Sequence, residues 1–185
     1  MNLALGLAQE FAAEAPAAAL VGWLTDVIRS VEAPAAAPIV APQDVVFGPG
    51  PDCTDRVIGA LRGAGRRIDI CVFTITDDRI SREILGAHRR GLRVRIISDD
   101  EKSQDLGADV ESLAGAGIPT VYDQAGHMHH KFAVVDGRRL LNGSFNWTRG
   151  AAAENHENLV ISEDERLVGA FSAEFERLWQ RFGGR

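Results

Sequence analysis

Apolar and polar positions along the chain repeat with two different periods, one suited to helices and one to strands. Near the start, Leu20, Trp23, Leu24, Val27, Ile28 and Val31 recur at helical spacing and predict an amphipathic helix within residues 1–32. Residues 33–43, APAAAPIVAPQ, are rich in Pro and Ala and read as a linker. From Asp44 onward strand and helix patterns take turns. Strands are expected at Asp44–Phe47, Arg67–Thr74, Leu92–Ser98, Pro119–Tyr122, Lys131–Val135, Arg139–Asn142 and Glu157–Ile161. Helices are expected at Asp55–Gly63, Ile80–Arg90, Val110–Ala114 and Asp164–Phe182. The run Ile68–Ile75 is apolar almost throughout, which places its strand at the centre of a sheet. Asp136-Gly137 between two strands is a hairpin signal. The expected architecture is therefore an α/β domain over 44–185, a mixed sheet flanked by helices, preceded by an N-terminal helical extension (1–32) and the linker (33–43).

Composition narrows this only a little. A chain of 185 residues suits one domain and a short appendage. Its net charge of −6 argues against a protein that coats nucleic acid, while leaving room for a local basic cleft. Lys102 and Lys131 are the only lysines, so a lysine inside a motif carries weight. Cys53 and Cys71 offer neither a disulfide framework nor a paired-cysteine zinc pattern. A reducing, cytoplasmic setting follows as the expectation. The apolar run Ala15–Leu24 is about half of the ~20 residues that a membrane span needs, so no integral span is expected.

The chemistry concentrates between His127 and Ile161. There His129-x-Lys131 is followed after four residues by Asp136, and after six more by Gly143-Ser144-x-Asn146. Alternation along a strand would project His129 and Lys131 together, and likewise Ser144 and Asn146. Asp136 has the opposite parity and is expected to act in support. A neutral imidazole can attack phosphorus and form a phosphohistidine that water then hydrolyses. Lys131, Ser144 and Asn146 could hold the nonbridging oxygens as charge shifts. A nucleophilic histidine also needs an orienting carboxylate, for which Glu157 is the candidate. The donors are cationic or neutral, so neither a metal nor a cofactor is expected.

The pattern H-x-K-(x)4-D-(x)6-G-S-x-N, complete at His129, Lys131, Asp136, Gly143, Ser144 and Asn146, resembles the signature of the phospholipase D superfamily. The wider strings MHHK, GSFNWT and ENHEN look most like its single-motif branch of small bacterial endonucleases and Zucchini-type mitochondrial nucleases. The resemblance implies His129 as nucleophile, Lys131, Ser144 and Asn146 as phosphate clamp, and Glu157 as the carboxylate behind the histidine. In such families two motifs make one site. This chain carries one motif and no internal repeat, so the resemblance implies a homodimer with the site on its two-fold axis. The N-terminal segment is too polar for a membrane anchor and Cys53 stands alone, so neither a mitochondrial-surface location nor zinc is carried over.

The expected activity is metal-independent cleavage of nucleic acid, DNA or RNA and preferably single-stranded. The alternatives are hydrolysis of a cardiolipin-type phospholipid and a silent nucleic-acid-binding scaffold. Trp147 is a substrate-binding candidate through base stacking, with a core or wall position as the bland reading. His130 is read as a packing residue, and His127 and His156 as loop residues flanking the site. Arg89, Arg90, Arg93 and Arg95 could line a backbone groove or simply form a solvated face. Asp99 and Asp100 are read as strand-end residues.

Overall fold

The computed structural model describes residues 16–32, 43–100, 109–124 and 126–184. The chain divides into two units, Met1–Ile39 and Val40–Arg185. In the first, helix α1 (Ala17–Glu32) forms where the helical periodicity predicted it. Its Val21, Trp23, Leu24, Val27 and Ile28 are exposed within that unit. Most of the expected linker, residues 33–42, lies outside the described residues. No helix among the described residues is long and apolar enough to cross a membrane.

The second unit holds β1 (Gln43–Phe47), α2 (Asp52–Arg62), β2 (Arg67–Val72), α3 (Asp78–Arg89), β3 (Arg93–Asp99), α4 (Val110–Gly115), β4 (Thr120–Asp123), β5 (Lys131–Val135), β6 (Arg139–Gly143), α5 (Arg149–Glu154), β7 (Asn158–Ser162) and α6 (Glu165–Arg181). The strands make one mixed sheet in the order β1-β7-β6-β5-β2-β3-β4. The pairs β2–β3 and β3–β4 are parallel, and the remainder are antiparallel. β2 is central, as its apolar run required.

The sheet is covered on both faces, which is why β2 and β3 lack a solvent-facing stripe. On one side α2, α3, α4 and α5 pack Val57, Leu61, Ile80, Ile84, Leu113 and Ala151 onto Ile68, Ile70, Ile96 and Leu141. On the other, α6 sets Val168, Phe175, Leu178 and Trp179 against Cys71, Ile97, Phe132 and Leu140. A charge is buried beneath α6. Arg95, 8% exposed, donates to Asp69 at 2.8 Å and to Glu176 at 2.6 Å, and lies over the rings of Phe175 and Trp179. Desolvating a guanidinium is costly, and two carboxylates with two aromatic faces compensate it. Arg95 therefore belongs to the core and lines no groove.

Helix α5 was not expected from the sequence. Its six residues, RGAAAE, are too few to show a period, and it is started by Thr148, whose hydroxyl accepts the Ala151 N–H at 3.1 Å.

Candidate active site

The motif residues gather at the end of the sheet where parallel strands β2 and β3 finish, the end at which open α/β sheets form their crevices. Antiparallel pairing of β5 with β2 sets Val72 opposite Lys131, so β5 begins where β2 stops. β6 ends at Gly143 beside Leu159 of β7, which brings Ser144 and Glu157 to the same edge. Gly143 is required here by space. A Cβ on it would stand 2.1 Å from the Asn158 carbonyl oxygen, so no larger residue lets β6 approach β7 this closely.

His129 is exposed on the segment entering β5, and its ring meets Phe73 edge-on with centroids 5.3 Å apart. Lys131 is 7% exposed; its Nζ donates to the His129 carbonyl at 2.8 Å and lies 5.5 Å from the Phe73 ring centre. Burial pushes the Lys131 ammonium below the ordinary lysine range, and the Glu157 carboxylate pulls it back only in part. Glu157, 9% exposed, accepts the Ser144 hydroxyl at 2.5 Å and the Asn155 side-chain amide at 3.2 Å. Ser144 in turn accepts the Asn158 N–H at 3.1 Å. Asn146 is half-buried, and its Oδ1 has no hydrogen-bond partner among the described residues. Main-chain bonds from Thr76 and Asp77 to the Trp147 carbonyl lash the Asn146 loop to the segment after β2.

The structure thus brings together His129, Lys131, Ser144, Asn146 and Glu157. Two expectations need correction, those for Trp147 and Glu157. Asp136 stands away from the other motif residues, in the supporting place its parity suggested: it sits in the β5–β6 turn, five residues and so about 17 Å along the strand from Lys131. There its carboxylate accepts the N–H groups of Gly65, Arg66 and Arg67 at 2.8–2.9 Å, and φ is 57° at Asp136 and 65° at Gly137. Burial opposes its charge, but these N–H bonds win and hold its carboxyl below the usual range. Trp147 is 1% exposed and packs in the core, so its ring is closed to a base. Glu157, just before β7, bonds Ser144 and Asn155 within one chain rather than the His129 ring. These two partners, one at the end of the adjacent β6 and one two residues before Glu157, take up both its oxygens.

Around the site, His127 and His156 are exposed, and His130 is exposed with its ring edge-on to Phe132 at 5.6 Å. Arg89, Arg90 and Arg93 end α3 and start β3, at the pole opposite His129. Phe73, against both His129 and Lys131, is a site residue that sequence reasoning missed. It stands inside an apolar run, where a phenylalanine reads as core; only the β2–β5 register places it beside the motif.

A seven-stranded mixed sheet with a histidine–lysine pair, a serine, an asparagine and a glutamate at one end defines a phospholipase D-like domain, and the chain belongs to that superfamily: the family described as "Cardiolipin synthase, PLD-like domain" matches residues 57–179. Among relatives, the "Mitochondrial cardiolipin hydrolase" of Chlamydomonas reinhardtii is 48% identical over 133 residues, covering 71% of this chain and 60% of the relative. The protein of that name from Xenopus laevis is 40% identical over 149 residues, covering 78% and 71%. The chain therefore spans about 60% to 71% of the length of these relatives. Among solved structures, the phospholipase D family member Nuc of Salmonella typhimurium is 26% identical, with a TM-score of 0.67 over 75% of this chain and 95% of its own. NucT of Helicobacter pylori shares the fold at 20% identity and a TM-score of 0.69, over 75% of this chain and 96% of its own. The cytoplasmic setting expected from cysteine usage does not stand. These relatives are named as mitochondrial, and two buried cysteines report on packing rather than on compartment.

Proposed function

We propose that the chain is a metal-independent phosphodiesterase that cleaves nucleic acid through a phosphohistidine on His129, at a site completed by a second copy. The observation that carries it is one cluster: an exposed imidazole beside a buried ammonium, with a hydroxyl and an amide at the same edge of the sheet. His129 attacks phosphorus and forms a P–N bond as the P–O bond to the leaving group breaks. Lys131 holds nonbridging oxygens as charge shifts onto them, joined by Asn146 and by Ser144 once its hydroxyl turns from Glu157. Water then hydrolyses the P–N bond and restores the imidazole. The leaving oxygen needs a proton, and the same histidine cannot attack and protonate at once. A second copy across a two-fold axis supplies another His129. His127 is exposed two residues before His129, which suits contact with a phosphate.

A second reading, hydrolysis of a cardiolipin-type phospholipid, has its own support. Val45, Phe47 and Val160 are exposed on β1 and β7, and Phe47 pairs with Asn158 next to Glu157. The Chlamydomonas and Xenopus relatives carry that activity in their names.

Labelled single-stranded DNA and RNA and cardiolipin vesicles, each with excess EDTA, separate the readings. Cleavage of a nucleic acid that survives EDTA and falls at least ~1000-fold in His129→Asn is expected. Release of phosphatidic acid from the vesicles, with both nucleic acids intact, would replace the first reading by the second. No turnover of any of the three by the folded dimer would overturn both.

A further inference from the structure

We propose that Asp99 is a positioning residue for His129, setting the nucleophile through the main chain of Met128. The inference rests on the reading of His129 as nucleophile and assigns a role that the motif does not contain.

Asp99 is the last residue of β3 and is 0% exposed. One oxygen, Oδ2, accepts the Met128 N–H at 3.0 Å. The same oxygen lies 3.5 Å from Nδ1 of His127, a side chain 71% exposed. The carboxylate therefore holds the residue immediately before His129 and lies beside the one before that. A hydrogen bond from a backbone N–H to a buried carboxylate is charge-assisted, and stronger than one to a neutral acceptor.

The peptide around the nucleophile is also held from its other side. Lys131 donates to the His129 carbonyl, and the Met128 side chain, 3% exposed, is buried against the Cys71 thiol, 3.3 Å from sulfur to sulfur. His129 itself is exposed and precedes the first residue of β5, so the sheet ladder does not fix it. Among the described residues, Asp99 and Lys131 restrain the main chain on either side of His129 by side-chain hydrogen bonds. The strand carrying Asp99 also steadies the ring's neighbour. Ser98, 0% exposed, donates its hydroxyl to the Phe73 carbonyl at 3.1 Å, and the Phe73 ring lies against His129. The end of β3 thus fixes both the peptide and the aromatic wall of the nucleophile. An attacking nitrogen displaced by 1 Å can lose about 100-fold in rate.

The test uses the full chain with bis(p-nitrophenyl) phosphate as the probe, together with proton–nitrogen NMR of the His129 ring. Asp99→Ala is expected to lower kcat ~10- to 100-fold with KM within about twofold, because binding groups stay in place while the nucleophile drifts. Asp99→Asn keeps a carbonyl acceptor for the Met128 N–H and is expected within about fivefold of the wild type. The His129 ring signals should shift or broaden in Asp99→Ala and hold in Asp99→Asn. If Asp99→Ala does not fold, Asp99→Glu replaces it; moving the carboxylate by one methylene should lower kcat at least ~10-fold. A folded Asp99→Ala (or Asp99→Glu in its place) with kcat near the wild type, a change in KM alone, or Asp99→Asn as impaired as Asp99→Ala would each overturn the proposal. If the wild type does not turn over the probe, the phosphodiesterase reading fails, and the NMR comparison decides Asp99 by itself: unmoved His129 signals in Asp99→Ala overturn it, shifted ones uphold it.

Discussion

Burial holds the Lys131 ammonium below the ordinary lysine range, and nearby Glu157 only partly restores it. The sign of the consequence follows from proton counting. Between the lowered folded value and the ordinary one of about 10.4, the unfolded chain binds more protons than the folded chain, so stability rises with pH across that window. Below the window both states are protonated and the contribution is flat. Urea unfolding at stepped pH values should therefore show wild-type stability rising relative to Lys131→Met through the alkaline range; a constant difference would contradict the assignment. On the proposed mechanism the same substitution should lower turnover of the folded protein ~100-fold or more, since the phosphate clamp proposed above loses its cation. His129 differs in kind. Its ring is exposed and rests on Phe73, so His129→Asn should remove chemistry while leaving unfolding midpoints almost unchanged.

At the scale of elements, the β5–β6 hairpin sets two residues of one motif at opposite ends. Lys131 begins the hairpin beside His129 and Asp136 turns it at the other end. Asp136 ties the turn to the start of β2 through three N–H groups, so Asp136→Ala should cost about 2 kcal/mol in urea unfolding, the scale of hydrogen bonds to a charged group. The kcat of the folded fraction should stay near the wild type. A selective loss of kcat with full stability would return Asp136 to the chemistry. Its contribution to stability is complete above the ordinary carboxyl value of about 3.9, and is lost as pH falls through its lower folded value, which should steepen the acid limb of wild-type unfolding relative to Asp136→Ala. The β6–β7 contact makes a harsher demand. Gly143→Ala sets a methyl 2.1 Å from the Asn158 carbonyl oxygen. Strand separation there should cost about 3 kcal/mol and displace Ser144 and Glu157 together, read as a lower thermal midpoint and weaker turnover.

For the whole molecule, the single motif turns an energetic need into a stoichiometric one. In the proposed mechanism attack and leaving-group protonation fall to two copies of His129, and each chain carries one. Light scattering should accordingly report twice the chain mass under turnover conditions. A monomer that turns over at the full rate would remove the shared-site reading while leaving the phospholipase D-like fold intact.

The sequence by itself determined the order of most elements, because an apolar period is a local property that tertiary packing seldom reverses when a segment is long. β2, α3, β5 and α6 fall within about two residues of their expected bounds. It also pointed to the end of the sheet where the candidate residues gather, since Lys131 opens β5 and Ser144 follows directly on β6. His129, Ser144 and Asn146 lie just outside those strands, so their placement rests on the flanking loops rather than on strand parity. Tertiary structure alone decided the remainder. Asp136 and Lys131 are near in number but occupy opposite ends of one strand, and only the turn reveals what the carboxylate holds. Trp147 and Phe73 are both aromatic residues in apolar company. Packing beneath α3 and α5 closed one away, while the register of β2 against β5 set the other beside His129. Asp99 lies thirty positions before His129, and no local pattern could connect them. Parallel pairing of β2 with β3 carries it to the same end of the sheet, where burial makes its hydrogen bond to Met128 matter.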